Sequence, residues 1–301
     1  GASSMIGRAL ISNLENKRKA NVIKFYHSET DLEDYKKSEE FFKLHEPEYV
    51  IHAAGYNGNI DFNIKFPSDI FFRTTLMGLN VLKICSNLKV RKIVSLLTSC
   101  AYDDSEELLK EENFLIGQPN KIVESHGLSK RNLFIYSKLL AKQYGLSAVC
   151  AIFNTAYGPY DNFDINKTKV VGGLIRKFLA AKKNNDESVT CWGTGNPRRE
   201  FIYCEDAAEG VIQILEKYGD VELPINVGFG EDYSIKELSN IISEISGFKG
   251  KILWDVTKPD GQFRKILDSS RMKENGIVIK KTNLVEGLKK TIEWCKQNVE
   301  I

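Results

Sequence analysis

A chain of 301 residues, 42% hydrophobic and 27% charged, can bury one large α/β core or two modest ones. Its 42 Lys and Arg against 40 Asp and Glu leave a formal charge of +2. That excludes the basic footprint of a nucleic-acid or anionic-membrane binder, so any anionic ligand must be held by a local cluster. No apolar run reaches the roughly 18 residues of a membrane span, and no charged-then-apolar leader opens the chain, so a cytoplasmic protein is expected. Cys85, Cys100, Cys150, Cys191, Cys204 and Cys295 form no C-x-x-C pair and sit mostly in apolar stretches, which predicts mainly buried free thiols. The 4 histidines have no metal-ligand spacing, so no metal is expected.

The chain opens on GASSMIG, a turn leading into a helix, without the apolar strand that a dinucleotide fold places before it. A few residues are expected to precede Gly1, the alternative being a flexible start. Short β-branched runs then alternate with helical segments: the strands NVIKFY, EYVIHAA, KIVSLLTS and AVCAIFN, and helices near 5–17, 35–45, 67–88 and 126–145. Apolar residues at three-to-four spacing, as in Ile70, Leu76, Leu79, Leu82 and Ile84, mark the helices. This alternation predicts a doubly wound, Rossmann-type parallel sheet covered on both faces.

Past residue 160 come a long mixed segment, a strand-like VTCWGTG, a helix near 206–218 and the strand PINVGF, which is expected to return to the main sheet. IKELSNIISEISG, KILWD and the final helix LVEGLKKTIEWCKQ read as a smaller α/β substrate domain. The expected division is 1–160 plus about 202–227 for the cofactor, and about 161–201 plus 228–301 for the substrate.

Gly1, Ser4 and Gly7 hold the three places of a G-x-x-G-x-x-G phosphate turn, with serine in the middle. Glycine there provides positive φ and close backbone approach, and the helix N-terminus offers free N–H groups to a pyrophosphate. Serine is small enough to serve at some steric cost; the alternative is an ordinary loop before a helix. The end of VIKFYHS lacks the acid that binds ribose hydroxyls in NAD-selective folds. NADPH is therefore favoured, with His27 or a nearby basic group meeting the 2′-phosphate. Asp31 and Leu32 suit an adenine contact, and Ala53, Ala54 and Gly55 are small enough for a cofactor to pass.

The strand ending in Thr98 and Ser99 is followed by a helix carrying HGLSK, with His126 four residues ahead of Lys130, and then by another strand. That order resembles the active-site layout of short-chain dehydrogenases/reductases, with an imidazole where their tyrosine stands. Thr98 or Ser99 would bind a substrate carbonyl oxygen. His126 would deliver a proton as imidazolium, which titrates near neutrality, and Lys130 would bind ribose hydroxyls. The bland readings are an exposed helix lysine and a surface histidine in a silent site.

With NTAYGPYDNF at 154–163, CWGTGNPRREF at 191–201 and KPDGQFRKILD at 258–268, the chain resembles the GDP-L-fucose synthase family of extended short-chain dehydrogenases/reductases over nearly its whole length. The resemblance implies a GDP-4-keto-6-deoxy-sugar substrate, NADPH and a homodimer joined through a helix bundle. It implies further cofactor contacts from Ser3, Met5, Ile6 and Leu97, and from Phe153, Asn154, Thr155 and Ala156. In that family one site epimerises C3 and C5 of the keto sugar and then reduces C4. Thr98 matches the family's serine, Lys130 its lysine and Cys100 its epimerisation base. His126 falls on the reducing tyrosine, and Lys169 on the epimerising histidine. Lys177, Arg199, Trp192 and Asp260 match substrate contacts. Arg199 suits diphosphate because its planar fork grips oxygens bidentately, although RRE alone reads as a solvated charged turn.

Epimerisation needs an acid and a base on opposite faces of the sugar, and lysine is a poor acid at neutral pH unless desolvated. Reduction needs an oxyanion partner and one proton, which Thr98, His126 and Lys130 can supply. The expectation is an NADPH-dependent C4-reductase, similar to those of capsular heptose pathways. The alternatives are a bifunctional enzyme with Cys100 as base and Lys169 or water as acid, and a silent NADPH/GDP-sugar-binding subunit.

Overall fold

The computed structural model describes residues 1–258 and 260–301. Its first half contains α1 (Met5–Asn16), α2 (Tyr35–His45), β1 (Tyr49–His52), α3 (Ile60–Lys65), α4 (Pro67–Asn87), β2 (Lys92–Thr98), β3 (Leu108–Leu109), α5 (Glu124–Tyr144), β4 (Ala148–Phe153) and β5 (Thr155–Tyr157). The second half contains α6 (Val170–Asn184), β6 (Ser188–Trp192), β7 (Arg198–Arg199), β8 (Phe201–Tyr203), α7 (Cys204–Lys217), β9 (Ile225–Val227) and β10 (Tyr233–Ser234). It continues with α8 (Ile235–Ser246), β11 (Lys251–Asp255), β12 (Arg264–Leu267), α9 (Ser270–Glu274) and α10 (Leu284–Asn298). Among the described residues no helix is long and apolar enough to cross a membrane.

The main sheet runs β1-β2-β4-β9, with every neighbouring pair parallel. PINVGF thus returns to it as β9, pairing Ile225 with Ala151. The centre of β2 and nearly all of β4 are buried, as a sheet covered on both faces requires. Alternation sorts their side chains. Ile93, Leu97, Cys150 and Ile152 pack with Val81, Leu82, Leu133 and Phe134 of α4 and α5. Val94, Leu96, Val149 and Ala151 pack with Ile6 and Leu10 of α1 and Val211 and Ile212 of α7. This second cluster continues without a break into Phe178 of α6, Leu238 of α8 and Leu288 of α10.

One predicted strand differs. NVIKFY is irregular in secondary structure and joins no ladder, because a strand needs a neighbouring backbone and the described sheet has β1 at this edge. The segment is tied down by side chains instead, with the Phe25 ring 4.6 Å from that of Phe41 on α2.

Smaller sheets form the floor of the second half. They are β10-β7-β12-β3, the parallel pair β11-β6 and the parallel pair β5-β8. The short turn Ser99–Ala101 after β2 is where the fold becomes specific. A Cβ on Gly127 of α5 would lie 2.5 Å from the Cys100 carbonyl oxygen, so only glycine lets this helix come so close. Arg131, one turn on, clamps the contact by donating to the carbonyls of Ala101, Gly117 and Ile116 at 2.7, 2.8 and 2.8 Å. Gly127→Ala must push α5 off this turn. We expect a loss of about 1–3 kcal/mol of stability, measured by urea unfolding, with a larger proportional loss of turnover than of stability-matched surface variants.

Candidate active site

The phosphate turn is built by two glycines and a cap. A Cβ on Gly1 would lie 2.5 Å from the Ala53 carbonyl carbon, and one on Gly7 would lie 2.0 Å from the Gly1 oxygen. Ser4 was expected to strain the turn, and it does not. Its φ is −71°, it is the N-cap of α1, and its hydroxyl accepts from the Gly7 N–H at 3.1 Å while donating to the Gly1 carbonyl at 2.8 Å. The backbone N–H groups of the first turn, at Met5 and Ile6, are left without intrahelical acceptors, as in any helix, and Ser3 is exposed beside them. This cradle, closed to any Cβ and lined by helix N–H groups, fits a pyrophosphate.

The remaining cofactor candidates lie along the ends of the parallel strands. Ala53, Ala54 and Gly55 follow β1, and a Cβ on Gly55 would sit 3.6 Å from Lys130 Nζ. Phe153 ends β4, Asn154 follows it, and Thr155 and Ala156 open β5. Leu97 and Leu32 are core residues, and Asn80 donates to the Leu32 carbonyl at 2.8 Å. His27 is exposed, with Nδ1 3.7 Å from the Asp31 carboxylate, so the group expected at the 2′-phosphate stands beside an acid.

At the end of β2 the reactive groups converge. Thr98 Oγ1 accepts from the Cys100 N–H at 3.3 Å, which leaves its own proton to donate. Lys130 is 5% exposed, its Nζ donating to the Leu96 carbonyl at 2.9 Å, and burial brings its ammonium down to about 8. His126 is 8% exposed, and among the described residues its buried Nδ1 has no hydrogen-bond partner. Burial, reinforced by Lys130, Lys169 and Lys265, holds its imidazole well below the usual histidine range. The expected imidazolium is therefore corrected: His126 is a neutral ring at physiological pH. A neutral imidazole can still polarise a carbonyl by hydrogen bonding.

Lys169 is exposed at the N-terminus of α6 and bears electrostatically on Cys100, His126 and Lys130. The substrate candidates form a second group. Trp192, at the end of β6, has Lys177 Nζ 5.6 Å and Lys258 Nζ 5.3 Å from its ring centroid. Asp260 accepts from the Thr194 backbone N–H and hydroxyl, both at 2.7 Å. Arg199 is half-buried between the two groups. Burial lowers its pKa, opposed by Cys100, Asp104 and Asp260. Arg199 thus links the two groups, bearing electrostatically on Cys100 at one side and on Asp260 at the other. Pro259 of the K-P-D-G motif lies outside the described residues. Among the described residues no cluster of metal-ligating side chains exists.

Sequence reasoning missed three residues. Lys258 opens KPDGQFRKILD and Lys265 lies within it, in a strand buried at three successive positions rather than alternately, so periodicity gave no signal for it. Glu200 is buried in RRE, the charged turn. Its carboxylate accepts from the Phe229, Gly230 and Leu267 N–H groups and so fixes the loop behind Arg199.

A family model described as the NAD dependent epimerase/dehydratase family matches residues 1–228. The chain is 35% identical over 301 residues to the probable GDP-L-fucose synthase 1 of Oryza sativa subsp. japonica, covering 99% of this chain and 91% of that protein. It is 31% identical to the GDP-L-colitose synthase of Yersinia pseudotuberculosis, covering 98% of this chain and 96% of that one. In structure it is similar to a GDP-6-OMe-4-keto-L-xylo-heptose reductase from C. jejuni, with a TM-score of 0.91, 28% identity, and coverage of 99% and 96%. It is also similar to MlghC, a GDP-mannoheptose C4 reductase from Campylobacter jejuni with NADP bound, with a TM-score of 0.87, 28% identity, and coverage of 98% and 96%.

The ionisations give a signed prediction for the pH profile of any carbonyl reduction at this site. Activity should be level through the ordinary histidine value of about 6.5, since His126 is already neutral there. It should fall above about 8 as Lys130 loses its proton. A kcat/KM profile that titrates near the ordinary histidine value would contradict the neutral ring.

Proposed function

The chain belongs to the NAD dependent epimerase/dehydratase family and, within it, to the GDP-L-fucose synthases, and we propose that it is the NADPH-dependent reductase of the C4 ketone of a GDP-4-keto-6-deoxy sugar, hexose or heptose. The observation that carries this reading is the convergence of Thr98, His126 and Lys130 at the end of β2, beside a phosphate turn closed to any Cβ. The names of the relatives, fucose and colitose synthases and heptose C4-reductases, support the substrate class.

The Gly1–Gly7 turn, the residues after β1 and Lys130 would hold NADPH, which would supply the hydride. The protein's own work is at the sugar oxygen. The Thr98 hydroxyl, with its oxygen occupied by the Cys100 N–H, donates to the C4 oxygen. The neutral His126 ring donates a second hydrogen bond and polarises the same carbonyl. The buried Lys130 ammonium, brought down to about 8, stabilises the negative charge that develops there and yields the one proton that the C4 alkoxide takes up. Arg199 and Lys177 hold the diphosphate, Trp192 packs on the ligand and Asp260 orders the Thr194 loop.

In this reading residues 1–160 and about 202–227 hold NADPH, and the remainder holds the sugar nucleotide. The position that the family gives to its epimerising acid carries an exposed amine, Lys169, so C3/C5 inversion is assigned to a separate enzyme. The product serves a surface polysaccharide such as capsule, and the enzyme works in the cytoplasm as a homodimer. Exposed apolar side chains on the outer faces of α4 and α5, Phe72, Ile135 and Leu139, support a helix-bundle interface there.

Single-turnover oxidation of NADPH with GDP-4-keto-6-deoxymannose tests the assignment. We expect oxidation only when a separate C3/C5 epimerase is added. Oxidation without it, yielding GDP-fucose, would make the chain bifunctional. Silence in both would direct the test to a heptose substrate and, if that is also inert, to a binding protein. His126→Phe should lower reduction about 100-fold or more while leaving the NADPH Kd unchanged. Arg199→Ala should raise the substrate KM about tenfold or more without a matching change in NADPH affinity; equal losses for both ligands would remove Arg199 from the sugar-nucleotide site.

A further inference from the structure

Lys265, on β12, is a lysine at 8% exposure, and among the described residues no carboxylate lies within ion-pair distance of it. A buried ammonium without a counter-charge is costly. The partner it has is sulfur, with Nζ donating to Cys100 Sγ at 3.9 Å. The arrangement is fixed from both sides. Asn154 Nδ2 donates to the Lys265 carbonyl at 2.8 Å, while Asn154 Oδ1 accepts from the Ser99 hydroxyl at 3.0 Å, so one side chain ties β12 to the turn that carries Cys100. Glu200 holds the neighbouring Leu267 N–H at 2.9 Å.

We propose that Lys265 is a positioning residue that serves as the counter-charge of a Cys100 thiolate facing the sugar site. The groups that bear on the sulfur come from four separate parts of the chain: Lys265 from β12, the Thr98 side chain from β2, Lys169 before α6 and Arg199 from β7. Burial alone would push this thiol up, and those groups together outweigh it and hold Cys100 below the ordinary thiol value. The other thiols behave oppositely. Burial takes Cys85, Cys150 and Cys204 up to about 12 and Cys295 up to about 11, and it raises Cys191 as well. Cys100 is also the one cysteine not fully buried. The ionised sulfur takes a proton from the carbon beside the sugar ketone, the C–H electron pair becoming the enolate, and the resulting thiol returns a proton to the same face, so the step is α-proton exchange without the C3/C5 inversion that needs a second acid. The inference rests on the sugar-nucleotide reading only for that use; the ion pair stands in the free protein.

The test is therefore made on the full chain without substrate or NADPH, so a failed reductase assay leaves it intact. Alkylation of Cys100 by iodoacetamide, read by peptide mass spectrometry, and ultraviolet thiolate absorbance are followed from about pH 5 to about pH 10. Cys100→Ala identifies the signal. We expect a wild-type midpoint below the free-thiol value of about 8.5. Lys265→Met should move it up by about one unit or more and slow alkylation at neutral pH about tenfold, whereas Lys265→Arg should retain the wild-type profile. Lys265→Gln provides the same comparison if the methionine variant does not fold. A wild-type midpoint at or above the free-thiol value, or identical profiles for wild type and the neutral variants, would overturn the proposal.

Discussion

The site depends on the seating of the α5 N-terminus against the end of β2. Helix and strand are local structures, and neither by itself places His126 near Thr98. The placement comes from the missing side chain at Gly127, which lets the helix reach the Cys100 carbonyl, and from the Arg131 guanidinium, which satisfies three backbone acceptors at once. Charge-assisted hydrogen bonds of this kind are worth about 1.5–3 kcal/mol each, enough to hold a helix end against thermal displacement. Lys130 adds a third tie through the Leu96 carbonyl. The same contacts that stabilise the interface therefore set the catalytic geometry.

A second theme is the gathering of positive charge in a dry space. Lys130 and Lys265 are buried, Arg199 is half-buried and Lys169 stands at the rim. Their mutual repulsion and desolvation have to be offset by something negative: Asp161 bears on Lys169 and Asp104 and Asp260 on Arg199, but among the described residues no carboxylate lies within ion-pair distance of either buried lysine. Burial, with support from the lysines, keeps His126 neutral, and the lysines with Arg199 draw Cys100 toward ionisation against its own burial. A ligand carrying a diphosphate, with a carbonyl that becomes an oxyanion, would complete the balance. The pocket's electrostatics and its proposed chemistry are thus one fact seen from two sides.

Much was legible in the sequence. The alternation of β-branched and three-to-four-spaced segments fixed the parallel sheet, because a strand buried on both faces must be apolar throughout and its covering helices must be amphipathic. The spacing of His126 and Lys130 put both on one helix face, since residues four apart share a side of a helix. The predicted strand NVIKFY illustrates the limit: β propensity is a property of a segment, whereas a ladder is a property of two, and among the described residues no strand pairs with it. Ser4 illustrates another, since the sequence suggested strain where the backbone adopts an ordinary capped helix start.

By itself the sequence determined which residue types could do chemistry and which elements would carry them, because side-chain periodicity and turn chemistry act over a few residues. Only the tertiary structure decided their state. The neutrality of His126 follows from burial and from lysines at 130, 169 and 265, two of them distant in the chain. The contact between Lys265 and Cys100 joins residues separated by 165 positions. Ionisation depends on desolvation and on charges a few ångströms away, and those distances exist only once the chain has folded.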